Sequence, residues 1–592
     1  MKVNGKIELL RNEMRKRGLD AYVIPSNDPH QSEYVGDYFK SREFISGFTG
    51  SAGAVVITMN KNGLWTDGRY YIQAENQLKG SSIDLFKMRE PDVPTINEWL
   101  FDNLQSGNVV GFDSKVFSQH QVNVMKKMFS EKNIDVDGKY DLIELIWGNR
   151  PSLSKEKAMI LDVKYAGKSA LEKLDEVRKE MNKKDSSYYI LSSLDDIAWT
   201  FNIRGNDINY SPVVLSYSII EKEKATLFID QDKLSEQMKK ELEEQNIYVK
   251  DYDVVSTYIS SFKSGTKVMI DINRNNSYIY NSIPNKCKII KIDEITKNLK
   301  AVKNEVEIEN LKKCHDKDNV AMVKFLYWLK NNIGKEKITE ISASDKLENY
   351  RQQVDLFKGL SFNTIAAYKD HAAMMHYSAQ KESEYELEPE GFFLLDSGGQ
   401  YLDGTTDITR TIVLGDLTYE QKRDYTLTLK GHIALSKFKF LKGVTGTNLD
   451  VLARQFLWQV GIDYKCGTGH GVGFFLNVHE GPQGFSPYAT KAQLEKGMIT
   501  TNEPGVYKAG KYGIRIENTI LVVEDEKTEF GQFMKFETIS HCPIDLDGVI
   551  VELLTEEEKD WLNTYHQTVY VKTSSYLTEE EKNWLKNETR SI

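Results

Sequence analysis

Two aspartates, two glutamates and three histidines crowd between positions 376 and 517: His376, Asp396, Asp407, His470, His479, Glu503 and Glu517. Such residues ordinarily prefer separate, solvated positions, so their density in glycine-rich surroundings points to shared chemistry. Asp396 ends the apolar run GFFLLDSG. It therefore delivers a carboxylate at the end of a buried strand, where an unpaired charge is costly and a cation is expected to meet it. Asp407 follows eleven residues later in DGTTDITRT, after a glycine turn and beside the alternating strand TRTIVLG. A hairpin there can bring both aspartates together. In GIRIENTILVV the two-residue alternation puts Arg515, Glu517 and Thr519 on one face and Ile514, Ile516 and Asn518 on the other. Arg515 and Glu517 then point the same way, and the arginine can orient a metal-bound carboxylate and offset its charge. Asp396, Asp407, His470, Glu503 and Glu517 make an oxygen-rich set. It suits two divalent ions, Mn²⁺, Co²⁺ or Zn²⁺, better than one tetrahedral structural zinc, and its four negative charges balance two dications.

The elements that must position these residues follow from hydrophobic periodicity. LRNEMRKRGLDAYVIPS near the start and LDEVRKEMNKKDSSYYILSS from Leu174 each read as an amphipathic helix turning into an apolar strand, which implies a duplicated α/β unit. From Lys300 the pattern becomes one long, uninterrupted helix through KAVKNEVEIENLKKCHDKDNVAMVKFLYWLKNN, followed by glycine-rich segments with short strands, an α+β layer. The expected division is residues 1–155, 156–300 and 301–592, with a C-terminal extension from about 530. Within that extension LTEEEKDWL and LTEEEKNWL each open with a capping box and are assigned to packing or dimer contact.

Composition limits the partners. In 592 residues, 40% are hydrophobic and 28% charged, the balance of folded domains with sizeable cores. The formal net charge of -10, with no long basic run, excludes attraction to a nucleic acid backbone or an anionic membrane and favours small or neutral substrates. The opening MKVNGKIELLRNEMRKRG lacks the continuous apolar core of a signal peptide, and the cysteines Cys287, Cys314, Cys466 and Cys542 lie far apart, so a reducing cytoplasm is expected.

The segments DSGGQYLDGTTDITRT, GTGHGVGFFLNVHEGP, NEPGVY and GIRIEN resemble, in order and spacing, the motifs of the pita-bread metallopeptidases, the family of methionine aminopeptidases, prolidases, creatinases and X-Pro aminopeptidases. The resemblance to the three-domain X-Pro aminopeptidase branch runs nearly the full chain, from SNDPHQSEY and SGFTGSAG through LWTDGRY, DDIAWTFNIRG and SFNTI to the tail WLNTYH. It implies two creatinase-like α/β domains followed by a pita-bread catalytic domain. It further implies Asp407 and His470 at one metal, Asp396 binding the other through both oxygens, Asp407 and Glu517 as bridges, and Glu503 completing the site. His376 and His479 would contact the substrate and steady the tetrahedral intermediate, and Arg69 would contact the substrate from the first domain; a cytosolic homodimer is implied as well. The chain departs from the family pattern at Tyr368 to His371, where relatives carry Gly-Pro-Asn-Gly, at Asn502 in place of Asp, and at Cys466, where many carry His. Cys466 is expected at the rim of the site, not among the ligands.

The implied reaction removes the residue preceding a proline. A prolyl bond is a tertiary amide with fixed φ and no N–H, which proteases that bind extended strands handle poorly. Glu503 is the candidate proton shuttle between water and the proline nitrogen, and His376 and His479 the candidate stabilisers of developing charge. Three other readings compete: a prolidase-type dipeptidase, a non-catalytic peptide-binding member of the fold, and a creatinase-like hydrolase.

Overall fold

A computed structural model describes residues 2–488 and 490–592. The chain divides into two compact units, one running to Asp162 and including Lys168–Thr296, the other Val163–Gly167 with Lys297–Ile592.

The first unit contains the duplication. Helix Val3–Arg17 buries Ile7, Leu10 and Met14 at three- and four-residue steps and stops where Gly18 takes the left-handed conformation (φ 66°). It leads into the buried strand Ala21–Pro25. Helix Ala170–Lys183 opens with a Ser169/Glu172 capping box, buries Leu174, Val177 and Met181, and leads into Tyr188–Leu191. The first six-stranded sheet contains, in chain order, Ala21–Pro25, Ala54–Thr58, Asn62–Thr66, Asp84–Lys87, Val109–Gly111 and Asp135–Asp137. The second contains Tyr188–Leu191, Ser216–Glu221, Ala225–Ile229, Ile247–Lys250, Lys267–Ile270 and Lys288–Lys291. Both are ordered four-three-two-one-five-six, with antiparallel pairing only among the first three strands of each.

In the second unit the helical pattern expected to run unbroken from Lys300 is split. A short helix ends at Ala301, and Glu305–Asn332 begins afresh behind an Asn304/Glu307 capping box. The Asn304 side chain accepts from Glu307 N (3.0 Å) while Glu307 Oε2 accepts from Asn304 N (2.9 Å), which satisfies two donors that a continuous helix would not leave open. The long helix buries Leu311, Cys314, Met322, Phe325 and Leu329.

Two sheets carry the polar cluster: a three-stranded one centred on Phe392–Ser397, and a six-stranded one containing Gly469–Gly471, Ile499–Asn502 and Asn518–Thr528. Phe392–Ser397 is buried along its whole length, with Phe393 and Leu395 in one core cluster and Leu394 in another. Burial on both faces explains the continuous apolar run before Asp396. Helices Tyr419–Ser436 and Glu556–Thr573 contribute Leu429, Ile433, Leu562 and Val569 to a further core cluster. Both C-terminal capping boxes form, Thr555 with Glu558 and Thr578 with Glu581.

Candidate metal centre

Each candidate ligand sits at or beside a strand end. Asp396 lies on Phe392–Ser397, opposite Ile365 on one side and Thr409 on the other. Asp407 immediately precedes strand Ile408–Val413, His470 is the middle of Gly469–Gly471, and Glu503 follows Ile499–Asn502. Strands Phe392–Ser397 and Ile408–Val413 pair antiparallel, as a hairpin would. The chain between them makes its own smaller hairpin, Gly399–Tyr401 with Gly404–Thr405, in another sheet. The single strand expected through GIRIENTILVV is broken at Ile516 and Glu517. There the backbone leaves its pairing with Gly505–Lys508 and joins Ile499–Asn502, with Ile516 N on Pro504 O (3.3 Å) and Glu517 N on Thr409 O (3.2 Å). The alternation of side chains survives the break: Ile514 and Ile516 enter the core, while Arg515 reaches Asp396 and Glu517 reaches Thr409.

One ligand atom each of Asp407, His470 and Glu517 falls within 4.8 Å of the others. His470 Nε2 stands 3.3 Å from Glu503 Oε1 and 3.5 Å from Asp407 Oδ2. Its Nδ1 lies 2.9 Å from the Gly471 carbonyl, which can only accept, so Nδ1 carries a proton and Nε2 is the nitrogen left to face the carboxylates. Asp396 Oδ1 and Glu517 Oε1 are buried without a hydrogen-bond partner, while the second oxygen of each is engaged by Arg515 and Thr409 respectively. Burial raises the pKa of Asp407 well above the usual carboxylate range, and Glu517, Asp396 and Glu503 raise it further. Glu517 is raised in the same way, by burial and then by Asp396 and Glu503. Burial is also the main cause that pushes Glu503 up to about 6. Carboxylates that hinder one another's ionisation, orphaned buried oxygens and an imidazole nitrogen facing them are what a bound cation requires, and the residues fit one.

Arg515 sets a fixed positive charge against the carboxylates. It donates to Asp396 Oδ2 through Nε (3.1 Å) and Nη2 (2.6 Å), and to the Tyr507 hydroxyl through Nη1 (2.6 Å). Three threonines buttress the candidate ligands; the sequence reading places Thr519 on the face of Glu517 but gives no role to it, to Thr409 or to Thr501. Thr409 Oγ1 donates to Glu517 Oε2 (2.7 Å), Thr501 Oγ1 to Glu503 Oε1 (3.0 Å), and Thr519 Oγ1 to Asp407 O (3.0 Å). Each lies two residues from a candidate ligand, at Asp407/Thr409, Thr501/Glu503 and Glu517/Thr519, so the two-residue strand period could have found them. Gly469 admits the close approach that aims His470: a Cβ there would collide with the Thr501 carbonyl.

His376 follows the short helix Lys369–Ala373, and its ring centroid is 6.4 Å from that of His479, which in turn lies 4.2 Å from His470. The structure thus gathers His376, Asp396, Asp407, His470, His479, Glu503 and Glu517 in one place. Arg69 belongs to the first unit, where it grips Asp67 through Nε (2.9 Å) and Nη2 (2.8 Å). Cys466 packs half-buried against the core and is absent from the group of ligand atoms among the described residues. Asn502 is buried, its amide donating to His432 O (2.9 Å) and Ser436 Oγ (2.8 Å).

Four carboxylates and an imidazole gathered in this α+β domain make a cluster suited to cations, the kind of site that metallohydrolases use. Residues 6–145 and 149–307 each match the creatinase/prolidase N-terminal domain, residues 309–524 metallopeptidase family M24, and residues 532–592 the C-terminal region of that peptidase family. The chain is 42% identical over 585 residues to Xaa-Pro aminopeptidase 1 of Dictyostelium discoideum, covering 96% of this chain and 92% of the relative. It is 41% identical to a probable Xaa-Pro aminopeptidase P of Botryotinia fuckeliana, covering 96% and 89%. The crystal structure of X-prolyl aminopeptidase from Caenorhabditis elegans, described as a cytosolic enzyme with a di-nuclear active site, superposes with a TM-score of 0.96 at 35% identity over 100% of both chains. The chain belongs to metallopeptidase family M24.

Proposed function

We propose that the protein is a metal-dependent aminopeptidase that hydrolyses the N-terminal Xaa-Pro bond of peptides. The reading is carried by the cluster of Asp407, His470 and Glu517, with Glu503 beside His470 and Asp396 on Arg515, in a chain similar over 96% of its length to an Xaa-Pro aminopeptidase. Asp396, Asp407, His470, Glu503 and Glu517 would hold two divalent ions, Mn²⁺ before Zn²⁺ or Co²⁺. When bound, such ions lower the pKa of a water, polarise the scissile carbonyl and take the substrate's free amine.

The chain's own residues supply the rest. Glu503 keeps 18% of its side chain accessible against 5% for Asp407, so it is the more open of the two to water, and it moves the proton from water to the departing proline nitrogen. His376 and His479 stabilise charge on the carbonyl oxygen. Arg515 holds Asp396 in orientation through Nε and Nη2. By the family resemblance Arg69 is assigned a substrate contact. We read the chain as three domains, residues 1–155, 156–300 and 301–592, acting in the cytoplasm as a homodimer. The cytosolic description of the Caenorhabditis relative supports the location.

The test compares Arg-Pro-Pro, Arg-Ala-Pro and the dipeptide Arg-Pro with Mn²⁺ added. Release of arginine from Arg-Pro-Pro should exceed that from Arg-Ala-Pro by at least ten-fold in kcat/KM, about 1.4 kcal/mol. Preference for Arg-Pro would make the protein a dipeptidase, and equal turnover of the two tripeptides would remove the proline specificity.

A further inference from the structure

The C-terminal motif WLNTYH has no part in the proposed reaction, yet its Tyr565 reaches the metal centre through a buried relay. Tyr565, on helix Glu556–Thr573, places its hydroxyl 2.7 Å from Arg410 Nη2, 3.1 Å from Cys542 N and 3.1 Å from Asn518 Oδ1. Arg410 is buried, and its guanidinium is held by neutral acceptors. Nε donates to Pro543 O (2.9 Å), Nη1 to Thr409 O (2.8 Å) and to the backbone carbonyl of Glu517 (2.6 Å), and Nη2 to Asn518 Oδ1 (2.9 Å) and Cys542 O (2.6 Å).

Asn518 carries the relay onward. Its Nδ2 lies 3.1 Å from His432 Nε2, and His432 Nδ1 lies 3.1 Å from the Asn502 carbonyl. A carbonyl only accepts, so the proton is on Nδ1 and Nε2 receives the Asn518 amide. Burial first, and Arg410 second, push the His432 pKa down to about 3, which keeps the ring neutral in this tautomer. Asn502 and Asn518 are cross-strand partners, and they adjoin Glu503 and Glu517 in the chain. One continuous network therefore ties down the backbone beside both glutamates, and at its far end stands a helix of the C-terminal region. Trp561 of the same motif stacks on Tyr565 (ring centroids 5.4 Å, interplanar angle 4°) and meets His432 edge-on at 6.0 Å.

We propose that Tyr565, Arg410 and His432 are positioning residues that fix Glu503 and Glu517 for cation binding, so that the C-terminal region sets the affinity of the metal centre. This rests on the ligand roles proposed above for those two glutamates. Buried polar networks confer rigidity when every member is satisfied, and groups behind metal ligands commonly govern affinity by ten-fold or more.

The experiment titrates metal-free, full-length protein with Mn²⁺ by calorimetry, alongside thermal melting and circular dichroism. Tyr565→Phe, folded, should weaken Mn²⁺ binding about ten-fold. Lys572→Met, which removes the ion pair (2.9 Å) from the same helix to Asp316 on helix Glu305–Asn332 and leaves the relay intact, should bind as wild type does. Should Tyr565→Phe fail to fold, Trp561→Phe loosens the packing on Tyr565 and His432 without removing a hydrogen bond of the relay, and the same weakening, smaller in size, is expected. Unchanged Mn²⁺ affinity with a lowered melting temperature would reduce the motif to a folding element and overturn the inference, as would equal weakening in Lys572→Met. Wild-type protein that binds no Mn²⁺ would instead overturn the metal assignment itself, and this inference with it.

Discussion

Replacing Arg515 by methionine should destabilise the metal-free protein far more than the metal-loaded one. Arg515 is almost wholly buried and donates two hydrogen bonds to a single oxygen of Asp396, at 2.6 and 3.1 Å. Burial by itself would lower its pKa, but Tyr507, Asp396 and Glu503 outweigh this and hold it above the usual arginine value. Charges roughly 4 Å apart attract by about 4 kcal/mol at an effective dielectric near 20. Removing one member of a buried pair costs about 3–5 kcal/mol, because the other is left uncompensated. The Tyr507 hydroxyl also loses its guanidinium donor (2.6 Å), worth about 1 kcal/mol. Without metal, Asp396, Asp407, Glu503 and Glu517 then face one another without the Arg515 charge, and a loss of about 4 kcal/mol is expected. With Mn²⁺ bound, the ions supply that charge, and the loss should shrink to about 1–2 kcal/mol, mainly packing and the Tyr507 bond. At roughly 2 °C per kcal/mol for a unit of this size, the melting temperature should fall by about 8 °C without metal and about 3 °C with it. Differential scanning fluorimetry of wild type and Arg515→Met, after chelation and after reloading, measures all four values. An equal fall in both states would refute the counter-charge argument.

Further outcomes follow from the same geometry. Glu517→Ala should lose bound metal along with activity, whereas His376→Ala should keep the metal stoichiometry and fold and lose most turnover. Elemental analysis of the purified variants separates the two, and full metal occupancy in Glu517→Ala would remove the bridging assignment. Away from the centre, Asp318 meets Arg351 at 2.8 Å and the Tyr401 hydroxyl at 2.6 Å in full burial. Burial would raise its pKa, but Arg351 and the hydrogen bonds win, and the net shift is downward. A carboxylate with a depressed folded-state pKa contributes stability that is present above its unfolded value near 4 and is lost as pH falls through the folded value. Asp318→Asn should therefore cost about 3–5 kcal/mol at pH 7 and make acid unfolding less steep below about pH 4, and an unchanged acid limb would count against the pair.

The inventory of cation-binding residues was legible in the chain. The apolar run before Asp396, the glycine before His470, the two-residue alternation of Arg515 and Glu517 and the repeated helix–strand unit all depend on neighbours within a few positions, and local sterics and periodicity encode such neighbours directly. The capping boxes at Thr555 and Thr578 were legible for the same reason. The box at Asn304 was equally local, yet the apolar spacing on both sides concealed it, and the helix breaks there. Tertiary structure decided which distant strands meet. Thr409 finds Glu517 across 108 positions and Arg410 finds Tyr565 across 155, distances over which no sequence period reaches. The break at Ile516 and Glu517 likewise arises because the backbone changes partner from one sheet to another, a matter of register and not of propensity. The residue types able to bind cations were thus written in the chain. The contacts that orient them come from strand pairing and from a helix near its end.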